Sequence, residues 1–332
     1  MLCGSAVAQA HCTDWPKVMA KQIIARLPKN GVIIAVESFG DDTQIPGDDW
    51  LSNGIANLLM QYLATPDDAT AIPDSLVAQL PPHSKTKYRV GGKFQHLGES
   101  LRVFVQLKSN RNDLLAQFPI LVPYPYNKQF FVEFRKAAQG MLKQMEVTDI
   151  NEEKLRAIQN ATDNVVAYEN VSKGREIFFS FNPDKMEAAL VWFQEARSQD
   201  VKYREAYLGT SDVDAFIGLD HKQNHQPFGT DIQSAEGSLK SMERFTHAPA
   251  KVLDTLSLGA RVINAQIHFV TALHAAEQKD WGTAQSEMEQ VIQLTPEDGV
   301  AHSHLATIYD KLGKTGAAHA ARRKAKDLNS CL

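Results

Sequence analysis

Residues 301–328 read AHSHLATIYDKLGKTGAAHAARRKAKDL, and this stretch decides the architecture of the C-terminal half. Leu305, Ala306 and Tyr309 recur at helical spacing, Gly313 interrupts them, and Ala318 and Ala325 follow at helical spacing again. That is a helix, a tight turn and a second helix, with small residues where two helices must cross closely. Shifting the chain by 34 residues places Ala272 on Ala306, Ala284 on Ala318 and Lys279 on Gly313. Pro296 stands just before the later unit, where the earlier one must end. The sequence therefore predicts consecutive helix pairs over residues 265–298 and 299–330.

The N-terminal half has a different texture. Gly31–Phe39, GVIIAVESF, is a short apolar run rich in β-branched residues, predicted as a buried central strand. After an Asp- and Gly-rich loop, Trp50, Leu51, Ile55, Leu58, Leu59 and Tyr62 mark a helix that Asp48 or Asp49 can cap. Residues 87–109, KYRVGGKFQHLGESLRVFVQLKS, read as two strands around the turn HLGE. Phe130, Phe131, Phe134, Ala138 and Met141 outline the apolar face of a helix after Pro125. The expected organisation is an α/β domain over residues 15–148 and an all-α domain over 151–330.

Composition narrows the function classes. Of 332 residues, 43% are hydrophobic and 22% charged, which is ordinary for globular domains and long enough for two of them. A formal charge of -4 lacks the basic footprint of a nucleic-acid binder. No run approaches the ~20 continuous apolar residues of a membrane-spanning helix. The first ten residues, MLCGSAVAQA, are small and apolar and finish in Ala8-Gln9-Ala10, the pattern that signal peptidase reads, so an exported, periplasmic protein is expected. Cleavage after Ala10 would leave Cys12 and Cys331, either as a disulfide or as two separate thiols. His11 stands where a lipid-anchor motif at Cys12 would need a small residue.

The chain also resembles known families. Leu305, Ala306, Tyr309, Gly313, Ala318 and Ala325 fit the pattern of tetratricopeptide repeats, whose stacked helix pairs leave a groove lined by the first helices. Residues 34–59, IAVESFGDDTQIPGDDWLSNGIANLL, followed by YRVGGKFQHLGESLRVFVQLKS, resemble the TolB N-terminal-like α/β domain, related to FlgO-like and CsgG-like envelope proteins and to the periplasmic part of CadC-like regulators. The resemblance implies a further repeat near Tyr168, with Gly174-Arg175 in its first helix, Ala189, Phe193 and Ala196 in its second, and Ala206-Tyr207 opening the next. Gly218 to Gly229 then reads as a long loop, and helices resume from Asp231 to Ala276. Carried over from the repeat pattern, the groove positions are Gln266, Phe269, Leu273 and Glu277 in one repeat and Ser303, Thr307, Asp310 and Lys311 in the next. Phe269 and Leu273 are candidate apolar anchors for a partner, or core residues of an adjacent helix contact. The function implied is a non-enzymatic exported adaptor that binds protein partners in the cell envelope. A sensory module of a CadC-like system is the alternative, and an enzyme of unrecognised type the third.

The clusters of acidic, glycine and histidine residues match no catalytic or metal-binding motif. Asp41, Asp42, Asp48 and Asp49 lack the alternating ligands, central Gly and twelfth-position Glu of a calcium loop. Gly91-Gly92 leads into a strand instead of a helix N-terminus, which predicts a bulge or close backbone approach. His221 and His225 have the i, i+4 spacing of a zinc pair without a following Glu, beside Pro227 and Gly229. His302, His304 and His319 do not converge in sequence, and Glu152-Glu153 reads as a helix start. No nucleophile elbow, Cys/His pair or dinucleotide fingerprint is present, so no catalytic, cofactor or metal residue is assigned.

Overall fold

The computed structural model describes residues 12–25, 31–81, 84–147, 149–159, 161–246 and 258–332. Residues 1–10, where the sequence leads one to expect a leader, lie outside them. The chain forms a mixed α/β region followed by helices, in two compact units.

The first unit comprises Ile23–Ser180 and Glu187–Gly209. Its sheet contains β1 (Val32–Val36), β2 (Gly40–Asp41), β3 (Ala69–Pro73), β4 (Thr86–His96), β5 (Ser100–Ser109) and β6 (Leu114–Pro123). The order is β3-β1-β4-β5-β6, with β2 pairing β4 off this path. β1 runs parallel to both β3 and β4, while β4, β5 and β6 form an antiparallel meander. β1 is buried on both faces, as its unbroken Val-Ile-Ile-Ala-Val run requires. β5 alternates instead, with Leu101, Val103, Val105 and Leu107 all fully buried. The β4–β5 register runs unbroken through Gly91 and Gly92, so the pair serves close approach and no bulge. A Cβ on Gly92 would lie 1.9 Å from the Phe104 carbonyl oxygen, and one on Gly91 would overlap the Glu37 carboxylate.

Two helices cover the inner face: α2 (Trp50–Leu63), which buries all six predicted apolar positions, and α3 (Gln129–Gln144), which buries Phe130, Phe134, Ala138 and Met141 and leaves Phe131 half-exposed. Asp49 occupies the cap position of α2 without a side-chain cap bond, and Asp48 is turned to His96. The capping expectation thus fails at both residues, because a buried imidazole competes for the carboxylate. α4 (Glu152–Gln159), α5 (Val165–Phe178) and α6 (Met186–Gln199) complete the unit. Tyr168 donates to the Gly54 carbonyl oxygen at 2.8 Å, which ties α5 to α2. The ring of Phe193 fills the space left by two absent side chains, at Gly174 and Gly209.

The division therefore does not follow residues 148–151. The first helix pair belongs with the sheet, and most of α1 (Trp15–Ala25) belongs with the C-terminal helices. The Trp15 indole explains the latter: it donates to Asp220 Oδ1 at 2.6 Å and packs 4.9 Å from the Phe216 ring.

That second unit also holds α7 (Arg204–Gln223) from Thr210 onward, α8 (Gly229–Thr246), α9 (Leu258–Glu277), α10 (Trp281–Leu294), α11 (Gly299–Lys311) and α12 (Thr315–Leu328). The long loop expected from Gly218 to Gly229 is a correction: α7 continues to Gln223, and only five residues separate it from α8. Gly218 lies inside the helix, and its missing side chain lets α8 approach, since a Cβ there would lie 2.9 Å from the Ile232 side chain. α7 ends where His225 takes a positive φ of 57° and Gln226 N–H returns to the His221 carbonyl.

The 34-residue offset holds in three dimensions. α10 and α12 correspond residue for residue, and α9 and α11 end at equivalent positions. The turns match as well: Lys279 has φ 62° and Gly313 has φ 70°. Ala272, Ala284, Ala306 and Ala318 are all buried, as close helix crossing demands. The shared core adds Phe269, Met288, Val291, Leu305 and Ile308.

Candidate functional site

The most strongly charged interior of the second unit lies where α7, the α10–α11 turn and the C-terminal residues meet. Asp298 is the N-cap of α11, and its Oδ1 accepts from Ala301 N–H at 2.9 Å. Its other oxygen lies 2.6 Å from the Lys222 ammonium at the end of α7. Both side chains are buried. Lys222 Nζ also sits 3.5 Å above the centre of the Phe269 ring, so its charge meets a carboxylate on one side and a π face on another. Next to this pair, Arg261 donates to the Leu294 carbonyl oxygen at 2.8 Å and lies 3.3 Å from Glu297. Two buried cations thus face two buried carboxylates, and the charge balances.

The polar chain continues outward. Gln223 donates to the Glu297 carbonyl oxygen, Asn329 Nδ2 donates to Gln223 at 2.8 Å, and Cys331 N–H donates back to Asn329 Oδ1 at 2.8 Å. A disulfide joins Cys331 to Cys12, whose own N–H donates to Asn224 Oδ1 at 3.2 Å. Gly299 leaves room for this convergence, since a Cβ would come within 3.0 Å of Asn329. A narrow cleft between Leu219, Phe228, Ile232 and Val262 opens toward Lys222 and Asp298, with room for little more than a water molecule. Small-molecule pockets are typically far larger, about 300–1,000 Å³.

The groove positions divide. Glu277, Thr307, Asp310 and Lys311 are exposed, while Gln266 and Ser303 are half-buried. Phe269 and Leu273 are not exposed anchors. Phe269 is buried beneath Lys222 and stands edge-on to His304, and Leu273 packs on the core. The exposed apolar side chains of α9 are Ile267 and Val270, which the repeat pattern did not single out. Asp310 is held by Arg322. Burial lowers the pKa of both His302 and His304, aided at His304 by the Lys222 charge, so both are held toward the neutral form.

In the first unit, His96 Nε2 contacts Asp48 and lies 3.1 Å from the Tyr126 hydroxyl. Burial raises the Asp48 pKa against the opposing pull of His96. One ring nitrogen serves both partners, and the arrangement fastens the end of β4 to the segments before α2 and after β6. Asp41 folds onto Thr43 and Gln44, and Asp42 pairs with Lys93 at 3.1 Å. His221 bonds Asp231 at 2.7 Å, with no part for His225. Among the described residues, no three His, Cys, Asp or Glu side chains converge as a metal site would need, and no helix is long and apolar enough to cross a membrane.

No protein-family model matches the chain, and no curated protein does. Lys222, Arg261, Glu297 and Asp298 had no motif to announce them. The one available signal was Pro296-Glu-Asp-Gly299, in which Asp298 stands as an N-cap before an apolar-periodic run.

Proposed function

We propose that the protein is a non-enzymatic, exported adaptor, in which tetratricopeptide-type helix pairs of the C-terminal unit hold another protein. The observation that carries this reading is the residue-for-residue correspondence of α10 with α12, including the left-handed turn residue before each. Such pairs bury their apolar faces by stacking and offer the first helices to a partner. The exposed side chains there, Glu277, Thr307, Asp310 and Lys311, suit a polar peptide or helix surface better than an apolar one. The Cys12–Cys331 disulfide supports an oxidising compartment. The water-sized cleft favours a protein partner over a small sensory ligand. The TolB-like reading of the α/β unit adds a docking module for a second envelope component.

The test is site-specific photocrosslinking in envelope extracts, with the full chain carrying the crosslinker at Thr307 or at exposed Ala320 of α12. A discrete protein adduct from Thr307 alone is expected. Equal adducts from both positions, or none, would remove the groove.

A further inference from the structure

The 34-residue correspondence makes each face of α9 comparable with the same face of α11. On α11, Ala301, Leu305 and Ile308 are buried in the core shared with α9 and α10, and His304 stands against the Phe269 ring. Their equivalents on α9 are Ile267, Thr271, His274 and Val270. All four are exposed, Ile267 at 62% and Val270 at 55%. The face with which α11 seats itself on the preceding pair is therefore open on the second half of α9. Its first half is covered, since Leu258–Val262 is buried and α8 packs against α9, with Ile232, Val262, Ala265 and Gln266 lining one narrow cleft. The open face continues the α8–α9 interface.

The opposite end of the pairs is finished differently. Where α10 places Met288 and Ile292 in the core shared with α11, α12 carries Arg322 and Lys326. Those charges close the C-terminal end to further stacking, as a capping helix does. No such charges close α9.

We infer that Ile267, Val270, Thr271 and His274 form the seat for one amphipathic helix of a partner protein, bound as an added helix of the stack. Its chemistry is that of the helix covering the sister face: α10 packs on α11 and brings Ala284, Met288 and Val291 to the shared core, an apolar stripe of small to medium side chains at i, i+4 and i+7. A second copy does not fit. The C-terminal end that would have to meet this face in head-to-tail stacking carries Arg322 and Lys326, which an apolar seat does not accept. The inference rests on the adaptor reading, and the seat adjoins the groove stripe of α9, since Val270 stands one turn from Gln266 and two from Glu277.

The probe is a fluorescein-labelled peptide of residues 280–295, the α10 segment itself, titrated by anisotropy into the full-length oxidised protein. Saturable binding is expected, weakened at least tenfold by Ile267→Glu with Val270→Glu and by Met288→Glu with Val291→Glu in the peptide. Glu is a better helix former than either residue it replaces and both sites are exposed, so an unchanged Tm should accompany the loss. No binding, or equal binding by wild type and variant, overturns the inference. Sedimentation showing a wild-type dimer that the α9 variant dissolves overturns it too, because a second copy is then the occupant. If the peptide fails while Thr307 still crosslinks a partner, the adaptor reading survives alone.

Discussion

Lys222 and Asp298 are the side chains on which most of the second unit converges. Asp298 both caps α11 and neutralises a buried ammonium, so its two oxygens have separate structural roles. Removing one member of a buried pair leaves the other charge desolvated and unmatched, which typically costs about 3–5 kcal/mol. Asp298→Ala should therefore destabilise the protein by about that amount, with the lost cap adding about 1 kcal/mol. The double variant Lys222→Met with Asp298→Ser keeps a capping hydroxyl, removes both charges and should recover most of the loss. Urea unfolding of wild type, single and double variants measures the difference. A double variant as unstable as the single would mean that the pair contributes nothing as a pair.

At the level of elements, β6 shows how a strand can be hidden from sequence and still be well made. It is an edge strand, and Tyr124 N–H donates to the Glu99 carbonyl oxygen. By antiparallel alternation, Leu121, Pro119 and Pro123 turn their backbone away from β5, so neither proline removes a bond from the ladder. Both remove donors from the open edge, which guards it against pairing with another chain. Pro119→Val should restore a donor there and increase concentration-dependent association, seen as a rising apparent mass in light scattering. Unchanged mass across a hundredfold concentration range would assign the guarding to other features. The prolines also weaken the strand signal of Leu114–Pro123 in the sequence, whereas the alternation of β5 and the 3.6-residue period of α2 are plain. The helix pairs are legible to the turn, because the 34-residue shift matches Lys279 to Gly313 and both take a left-handed φ. The orientation of Phe269 stays open in the sequence, between a groove anchor and a core residue, and the Lys222 ammonium over its buried ring decides for the core. Gly218 looked like a loop residue because sequence cannot show the helix that packs against it.

For the whole molecule, the consequential bond is the one between its ends. Cys12 and Cys331 are separated by 319 positions and belong to the same compact unit, with Cα atoms 5.4 Å apart. On the chain-entropy account, closing so long a loop restrains the unfolded chain by about 6 kcal/mol, and measured gains are usually smaller. The local consequences add to this. Cys12 holds Asn224 and Ser330, while Asn329 holds Gln223 at the rim of the Lys222 network, so the bridge fastens both termini to the end of α7. Trp15 reports on the same place through its bond to Asp220. Reduction should lower the melting temperature by several degrees and shift the Trp15 emission to the red. Cys12→Ser with Cys331→Ser should melt with the reduced wild type and ignore reductant. A wild type that melts identically with and without reductant would mean that the terminal hydrogen bonds suffice. The bridge would then reflect the compartment in which the chain folds and contribute little to holding its second unit together.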